Sequence, residues 1–374
     1  MKYVIFFIIP FCFLITISCS FISNDEKKEE LQLLWEYDYD NTNGFDPYTL
    51  PLIMDNQSII TSGDPWITSL KISDGSLNWR SSINYHNSLR SRAFAHQNDI
   101  IVGTISRKVI AWEKNTGDKV WSVTIPDSLS WNYGKSEIIP DESQFFIPSL
   151  SNYFYQVSSE GVLDMWQTDL TIESGLVADN VIYVSQRKVR NFAVVSAYDI
   201  ESQELLWRYD QNEFGYDLRV PPILDEGKLY LFFLWSNRAI PGIVALNPEN
   251  GEEIWKQSNL SASATIIKGD VIFGASSVFI WAVDKHTGKL LWRTRPLGSG
   301  SGSGSLDYLD GYIYAPFSND LVILDAKTGE IVTLIESNLG SKYQFVKAAA
   351  GRIFLQSNQK LYAFAPWGHE EPID

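Results

Sequence analysis

A short motif that recurs along most of the chain restricts the possible folds more than any other feature of the sequence. Residues 282–292 read AVDKHTGKLLW, in which a Thr-Gly pair forms a turn and a tryptophan follows four residues after the glycine. Glycine suits such a turn because it adopts positive φ without a steric penalty. Further copies cover residues 69–79, 111–121, 161–166, 197–207, 245–255 and 323–333.

The tryptophan position gives the repeat length. It is occupied by tryptophan in seven copies, counting one that has no turn before it, and by Thr333 in the eighth. The tryptophans are Trp35, Trp79, Trp121, Trp166, Trp207, Trp255 and Trp292. The turn glycines are Gly75, Gly117, Gly161, Gly251, Gly288 and Gly329, and Gln203 takes the glycine place in one copy. Consecutive anchors lie 44, 42, 45, 41, 48, 37 and 41 residues apart, a spacing typical of a repeat architecture.

A second kind of turn repeats with the same period. Short pairs such as Asp310-Gly311 and Ala350-Gly351 separate apolar runs from β-branched or aromatic runs, which indicates β-hairpins. The body of the chain shows no amphipathic helical period of useful length, so it is nearly all β. Four short strands in each repeat predict one blade of a β-propeller.

Eight third strands are predicted, and they set the number of blades. The last, residues 360–365, has no tryptophan strand after it, whereas the first tryptophan strand, residues 33–40, has no blade before it. The N-terminal strand therefore completes the last blade, which removes two unpaired sheet edges. We predict an all-β, eight-bladed propeller of four-stranded blades over residues 32–366, followed by a C-terminal tail, residues 367–374.

The repeat tryptophans have a structural interpretation. A tryptophan on the strand after each turn can pack against the neighbouring blade, while its ring N–H donates to a backbone carbonyl. The motif is therefore predicted to hold blade to blade and not to bind a ligand.

The N-terminus has the features of an exported protein. Lys2 precedes an apolar run that fits a signal-peptide core and is short for a membrane span. The sequence TISC (16–19) resembles the lipobox of bacterial lipoproteins, with threonine where leucine is usual. We predict a signal peptide over residues 1–18, lipid attachment at Cys19 and a polar tether over residues 19–31. An ordinary signal peptide with incidental cysteines is the alternative.

Composition excludes some classes of partner. The net charge of −15 at pH 7 argues against nucleic acid, which requires a basic surface, and against anionic lipid except through a lipid anchor. Cys12 and Cys19 are the two cysteines, so the mature domain has no disulfide and depends on its apolar core.

Signatures of catalysis and metal binding are weak. The four histidines have no metal-ligand spacing, and the acidic residues form no calcium-loop pattern. Residues 298–305, GSGSGSGS, imitate a nucleophile elbow or a phosphate loop, but a hairpin follows where a helix is required. They are interpreted as a flexible connector. We predict no catalytic residue and no metal site.

The pattern A-x-D-x-x-T-G-x-x-x-W resembles the PQQ-type propeller repeat, or tryptophan-docking motif, over roughly residues 31–366. One branch of that family is the quinoprotein dehydrogenases, which hold pyrroloquinoline quinone (PQQ) and Ca²⁺ on the propeller axis. The other contains non-catalytic BamB-like lipoproteins of the outer-membrane barrel-assembly machinery. The chain is similar to the second branch in length, blade number and lipobox, and it lacks the vicinal Cys-Cys pair typical of the first. The resemblance implies a non-enzymatic protein without a cofactor, with PQQ and Ca²⁺ as the alternative.

The resemblance also implies a partner and a location. It predicts a monomeric, lipid-anchored scaffold of the bacterial cell envelope, at the outer membrane, that binds an envelope protein such as a barrel-assembly component. Trp235 and Arg238, in the loop FFLWSNRAIPG, are candidate contacts because aromatic and arginine side chains anchor interfaces. Such rings can instead cover blade ends. An axial funnel for a quinone or sugar, and a sensor or adhesion domain on the cell surface, remain alternative functions.

Overall fold

The computed structural model of the chain describes residues 31–39, 52–63, 66–82, 94–105, 108–125, 138–141, 144–148, 152–187, 193–210, 220–234, 240–296, 305–317, 319–336, 343–357 and 359–369. The predicted signal peptide, Cys19 and the tether up to residue 30 lie outside these residues. Trp235, Arg238 and most of the GSGSGSGS segment lie outside them as well. Within the described residues, no helix has the length and hydropathy of a membrane span.

The described residues form thirty-two β-strands in eight four-stranded antiparallel sheets. In chain order they begin with β1 (Leu33–Asp38); then β2 (Leu52–Met54), β3 (Ser58–Gly63), β4 (Trp66–Lys71) and β5 (Leu77–Ser82) as blade 1; β6 (Phe94–Gln97), β7 (Ile100–Ile105), β8 (Lys108–Glu113) and β9 (Lys119–Thr124) as blade 2; β10 (Ile139–Asp141), β11 (Gln144–Pro148), β12 (Tyr153–Ser158) and β13 (Leu163–Gln167) as blade 3; and β14 (Thr171–Ala178), β15 (Val181–Arg187), β16 (Ala193–Asp199) and β17 (Leu205–Asp210) as blade 4.

The second half of the chain continues in the same way. Its strands are β18 (Ile223–Asp225), β19 (Lys228–Phe233), β20 (Gly242–Leu246) and β21 (Glu253–Ser258) in blade 5; β22 (Ala264–Lys268), β23 (Val271–Ala275), β24 (Ile280–Asp284) and β25 (Leu290–Thr294) in blade 6; β26 (Asp307–Leu309), β27 (Tyr312–Phe317), β28 (Asp320–Asp325) and β29 (Ile331–Ile335) in blade 7; and β30 (Tyr343–Ala349), β31 (Arg352–Ser357) and β32 (Lys360–Phe364) in blade 8, which β1 completes.

The two kinds of turn both occur where the sequence places them. At five turns of the first kind both loop residues have positive φ, as at Asp310 (φ 50) and Gly311 (φ 87). These are type I′ turns, whose twist matches that of the flanking strands. The second kind joins the third and fourth strands of a blade through the Thr-Gly motif. In an antiparallel meander both turns lie at the same end of the blade. In blade 7 a hydrogen bond links the two turns, since the Ala326 N–H donates to the Gly311 carbonyl (2.9 Å). We call this the turn end, and the opposite end, where the blade-to-blade connections lie, the loop end.

The apolar core is divided among the seams between blades. The described residues form eight clusters of buried hydrophobic side chains, and each cluster has members from two neighbouring blades. First strands of neighbouring blades also contact one another, as β2 does with β6 and β10 with β14, so they lie nearest the axis of the ring. The fourth strands are the outermost.

Strand β1 closes the ring, as predicted. It pairs antiparallel with β32, with Trp35 opposite Ala363 and Asp38 opposite Lys360. The eighth seam joins blade 8 to blade 1 through a cluster that includes Trp35, Ile59 and Phe354. The prediction of an eight-bladed, all-β propeller completed by the N-terminal strand is thereby confirmed.

Each repeat tryptophan lies on the turn of the next blade. The Trp35 indole N–H donates to the Ile72 carbonyl (2.9 Å), and a Cβ added to Gly75 would lie 2.6 Å from the Trp35 ring. Five others make the same hydrogen bond, at 2.8 to 3.1 Å; they are Trp79, Trp121, Trp207, Trp255 and Trp292. The turn glycine therefore contacts the tryptophan of the preceding blade. Because glycine has no side chain, the indole fits against the turn.

Two seams depart from this arrangement. Trp166 faces the turn that contains Gln203 (φ 59), and it packs edge-on against Tyr198 with ring centroids 5.4 Å apart. At the seam between blades 7 and 8, where Thr333 replaces tryptophan, Trp367 packs against the core cluster and its backbone N–H donates to the Tyr314 hydroxyl (2.9 Å). This residue is the first of the predicted tail.

Carboxylates inside the turns accept hydrogen bonds from the turn residues. Asp325 accepts the backbone N–H of Thr328 (2.8 Å), and Asp284 accepts the Thr287 hydroxyl (2.7 Å) and its N–H. These hydrogen bonds favour the charged form, so they lower the pKa of both carboxyl groups, with the Thr328 backbone the main cause at Asp325 and the Thr287 hydroxyl at Asp284.

The lowered pKa predicts loss of stability in acid. A carboxyl group whose pKa is lower in the folded than in the unfolded chain contributes stability above its unfolded pKa, and that stability is lost as the pH falls through the folded value. We expect the urea midpoint of unfolding to fall between about pH 5 and pH 3, and to fall less in Asp325→Asn. Glu330→Gln, which changes an exposed carboxylate beside the same turn, is the control. An equal pH dependence in Asp325→Asn and the wild type would contradict the assignment.

Candidate functional site

The loop end of blades 5 and 6 holds a pocket built from three separate loops. They are the loop from β19 to β20, the connection from β21 to β22 and the loop from β23 to β24. The pocket has a volume of about 200 Å³. It is lined by Pro241, Asn259, Leu260, Ser261, Ser276, Ser277, Val278, Phe279, Trp281 and Arg293.

Local hydrogen bonds shape the walls of the pocket. Ser276 forms a tight turn in which its N–H donates to the Phe279 carbonyl (2.8 Å) and its hydroxyl oxygen accepts the Phe279 N–H (3.0 Å). Asn259, at φ 68, donates its N–H to the Pro241 carbonyl (2.8 Å) and ties the first two loops together. Hydrogen bonds within and between these loops therefore fix the shape of the pocket walls.

The floor of the pocket is the buried indole of Trp281. Its ring N–H donates to the Ser261 carbonyl (2.8 Å). Gly274 on β23 leaves the space that this ring occupies, because a Cβ there would contact the indole. With Pro241, Leu260 and Val278, the ring gives the pocket an apolar lining.

Arg293 supplies the positive charge at the pocket. Its guanidinium carbon lies 3.7 Å from the centroid of the Phe279 ring, a cation–π contact. Stacking on a ring face leaves the N–H edge of a guanidinium available for a carboxylate. Within the described part of the chain Arg293 makes no ion pair.

Arginines at the equivalent position of two other blades already have polar partners within the chain. Each follows its repeat tryptophan directly. Arg208 in blade 4 makes a bidentate pair with Asp169 at 2.7 Å, and this hydrogen bonding lowers the pKa of the Asp169 carboxyl group. Arg80 in blade 1 stacks 5.3 Å from the Trp66 ring and donates to the Tyr37 hydroxyl. Among the described residues, Arg293 is therefore a charge without an ion-pair partner, and it lies beside an apolar pocket.

The size of the pocket favours one side chain over a cofactor. Sites for small molecules and cofactors commonly enclose about 300–1,000 Å³. Interface anchors fill smaller, well-packed pockets with a single aromatic or aliphatic side chain. An apolar side chain next to a carboxylate matches both the lining and the arginine.

The described residues do not fit a calcium-quinone site. Ca²⁺ takes six to eight oxygen ligands, largely from carboxylates and carbonyls. No three His, Cys, Asp or Glu side chains converge in the described part of the chain. On the first strand of blade 7, Asp307 is committed to protein contacts, since it pairs with Lys347 (3.1 Å) and accepts the Ala348 N–H (2.9 Å).

The predicted contact residues are near this pocket in sequence. The loop that carries Trp235 and Arg238 leads into Pro241, which lines the pocket, but both residues lie outside the described part of the chain. Their role as contacts stays a prediction. Sequence reasoning missed Phe279 and Arg293; the available signal was the basic residue that directly follows several repeat tryptophans.

The comparisons with known proteins agree with the architecture. The chain matches the model of the family described as outer membrane protein assembly factor BamB, over residues 63–213 and 191–368. The crystal structure of BamB from Moraxella catarrhalis superposes with a TM-score of 0.70 at 15% identity, covering 92% of this chain and 100% of that one. Saccharomyces cerevisiae Sqt1 superposes with a TM-score of 0.68 at 11% identity, covering 90% and 99% of the two chains. At these identities the superpositions establish the fold alone.

A curated relative comes from the other branch of the repeat family. Quinohemoprotein alcohol dehydrogenase ADH IIB of Pseudomonas putida is 29% identical over 154 residues, which are 34% of this chain. The matched part spans 21% of the length of that enzyme. The family model, in contrast, extends over most of the propeller, and the chain therefore belongs to the family of outer membrane protein assembly factor BamB.

Proposed function

We propose that this protein is a non-catalytic, lipid-anchored scaffold that binds a protein of the bacterial cell envelope and takes part in outer-membrane protein assembly. The observation that carries the proposal is the family match over residues 63–213 and 191–368, joined to a complete eight-bladed ring. A lipid on Cys19 holds the domain at the membrane, which raises its local concentration around a membrane-bound partner.

The pocket between blades 5 and 6 is the proposed contact on the propeller. It receives one apolar side chain of the partner, and a carboxylate beside that side chain pairs with Arg293. Burial of an aromatic or aliphatic anchor in a preformed pocket accounts for a large share of the affinity in many interfaces. Trp235 and Arg238 are proposed to extend this contact.

Co-purification tests the scaffold role. The tagged full chain is solubilised from membranes in mild detergent, and bound proteins are identified by mass spectrometry. We expect enrichment of an outer-membrane barrel-assembly protein, with lower recovery from the Cys19→Ala variant because tethering is lost. Failure to recover an envelope protein with either chain would overturn the proposal.

A charge reversal tests the pocket. Arg293→Glu is expected to reduce recovery of the partner about tenfold, because it places a negative charge where a carboxylate is to bind. Arg293 is exposed and its cation–π contact contributes about 0.5–1 kcal/mol, so the thermal midpoint is expected to change little. Arg295→Glu, an exposed arginine two residues further on, is the matched control. Equal recovery from the two variants would remove Arg293 from the contact.

Quinone or small-ligand binding is the second candidate, and the similarity to the quinohemoprotein alcohol dehydrogenase favours it. Titration of the purified chain with PQQ and Ca²⁺ tests it. We expect no quinone absorbance to remain after gel filtration. Retention of one PQQ per chain would reverse the order of the two candidates.

A further inference from the structure

We propose that the pocket between blades 5 and 6 binds the C-terminus of a partner chain whose last residue is aromatic or aliphatic. The side chain of that residue fills the pocket, and its α-carboxylate pairs with Arg293. This inference rests on the proposed function, because it names the kind of segment that the same contact receives.

The charges around the pocket favour an anion. Ten described residues line the pocket, and Arg293 is the charged one among them. No aspartate or glutamate of the described part of the chain belongs to this lining, although the whole chain has 45 acidic and 30 basic residues. An α-carboxylate is ionised at neutral pH, so it pairs with the guanidinium without facing a like charge in the lining.

The strand register places the positive charge beside the apolar floor. Trp281 on β24 lies directly opposite Arg293 on β25. Side chains of directly opposite residues share one face of the sheet, with Cβ atoms about 4.5–5.5 Å apart. The Phe279 ring, 3.7 Å from the guanidinium carbon, holds the arginine at this place. A ligand must therefore present an apolar group and a carboxylate close to each other.

A chain end carries both groups at a short separation. The side chain and the α-carboxylate of a C-terminal residue are attached to the same Cα atom. Within an extended chain, neighbouring side chains point to opposite faces, and the next side chain on the same face is about 6.6 Å away. An internal acidic residue also requires main chain that leaves the pocket past its three loops. The geometry therefore favours a chain end over an internal aspartate or glutamate.

The volume of the pocket fits one large apolar side chain. Engineered apolar cavities of about 150 Å³ bind benzene, and this pocket has about 200 Å³. A phenylalanine or leucine side chain can therefore occupy it, against the Trp281 indole. Asn259 also lines the pocket, and the oxygen of its side-chain amide can accept the main-chain N–H of the terminal residue.

Peptide binding tests the inference. The probe is the peptide AGSAF with a fluorophore at its N-terminus and a free C-terminus, titrated with the full mature chain and followed by fluorescence anisotropy. One comparison peptide is the C-terminal amide of AGSAF. The other is the amide of AFSEA, in which a glutamate follows an internal phenylalanine by two residues. We expect AGSAF to bind about tenfold more tightly than either amide, because only its α-carboxylate can make charge-assisted hydrogen bonds to the guanidinium beside the pocket.

Two variants locate the carboxylate. Arg293→Gln keeps a polar side chain and removes the charge, so we expect it to bind AGSAF and the amide of AGSAF with equal affinity. Arg295→Gln, which changes another exposed arginine, is the matched control and is expected to keep the tenfold preference for the free acid. Both side chains are exposed, and equal thermal midpoints of the two variants would show that each is folded.

Four results would overturn the inference. They are absence of AGSAF binding, equal affinity of the wild type for AGSAF and its amide, equal affinity for AGSAF and the amide of AFSEA, and a preference for the free acid that survives in Arg293→Gln. A fifth is displacement of AGSAF by 3-phenylpropanoate at the concentration at which unlabelled AGSAF displaces it, since this would identify a small carboxylic acid as the occupant.

The assay separates this inference from the proposed function, because it uses no envelope protein. If the peptides failed while Arg293→Glu lowered the recovery of a co-purified partner, the pocket would bind an internal carboxylate and the proposed contact would stand. If AGSAF bound selectively while co-purification failed, the scaffold function would be rejected and the chain-end site would remain.

Discussion

Replacing Gly117 by alanine is expected to destabilise the propeller by about 3 kcal/mol, through two additive causes. The residue has φ 74, a left-handed conformation that costs an alanine about 1 kcal/mol. The added Cβ would also collide with the ring of Trp79, which docks on this turn from blade 1. Overpacking of this kind costs about 1–3 kcal/mol. Urea unfolding of the two proteins measures the sum.

A matched glycine separates the two causes. Gly227 has φ 69, nearly the same conformation, and no described atom lies within 4 Å of the place where its Cβ would be. Gly227→Ala is therefore expected to cost about 1 kcal/mol, the conformational part alone. If the two variants unfolded at the same urea concentration, the docked indole would contribute nothing at Gly117, and the blade-to-blade role of the motif would be wrong.

The repeat made most of this architecture predictable. The last predicted third strand, residues 360–365, agrees with the observed strand Lys360–Phe364 to within one residue. The two turn types repeat with the same period, and together they predict a four-stranded blade. The unmatched strands at the two termini predict how the ring closes. The patterns that mark turns and strands are local, because each depends on residues a few positions apart. Local patterns can be recognised in a single sequence.

Local patterns did not predict that each turn glycine contacts the tryptophan of the preceding blade. Gly75 and Trp79 stand four residues apart in one motif, yet Gly75 receives Trp35, forty residues earlier. Only the stacking of blades around a ring brings those two residues together. The same reason explains how Trp367, at the predicted tail, comes to pack at the seam where Thr333 lacks an indole.

The candidate pocket could not be predicted from the sequence either, because its lining residues are far apart along the chain. Pro241, Leu260, Phe279 and Arg293 belong to four segments, and no spacing in the sequence links them. The sequence indicated the neighbouring loop, because that loop contains Trp235 and Arg238. It gave no sign that the other three segments lie beside this loop. A propeller keeps its repeats uniform for packing, so functional differences are concentrated in the loops and in outer strands that depart from the pattern. Blades 6 and 7 each carry one such departure. Arg293 in blade 6 has no ion pair among the described residues, and β29 in blade 7 has no charged side chain.

Removal of the Trp35 side chain is expected to have the largest effect of any single substitution, because it opens the ring at its noncovalent joint. The ring is buried, at 8% exposure, and lies against Phe354 with centroids 5.8 Å apart. Its indole N–H donates to the Ile72 carbonyl of blade 1. Trp35→Ala is expected to lower the free energy of unfolding by about 4 kcal/mol. Trp35→Phe keeps an aromatic ring and loses the N–H, so its cost is expected to be about half as large.

The chain offers a control that tests closure separately from burial. Trp207 makes the equivalent contacts in the seam between blades 4 and 5, with its indole N–H on the Pro248 carbonyl (2.8 Å), but covalent connections flank it on both sides. A terminal strand can detach without the rest of the ring opening, whereas an internal strand cannot. Hydrogen exchange is therefore expected to accelerate at β1 and β32 in Trp35→Ala and to stay slow there in Trp207→Ala. Equal protection of β1 in both variants would mean that the N-terminal strand is held by its pairing with β32 alone, with no contribution from the tryptophan that docks it onto blade 1.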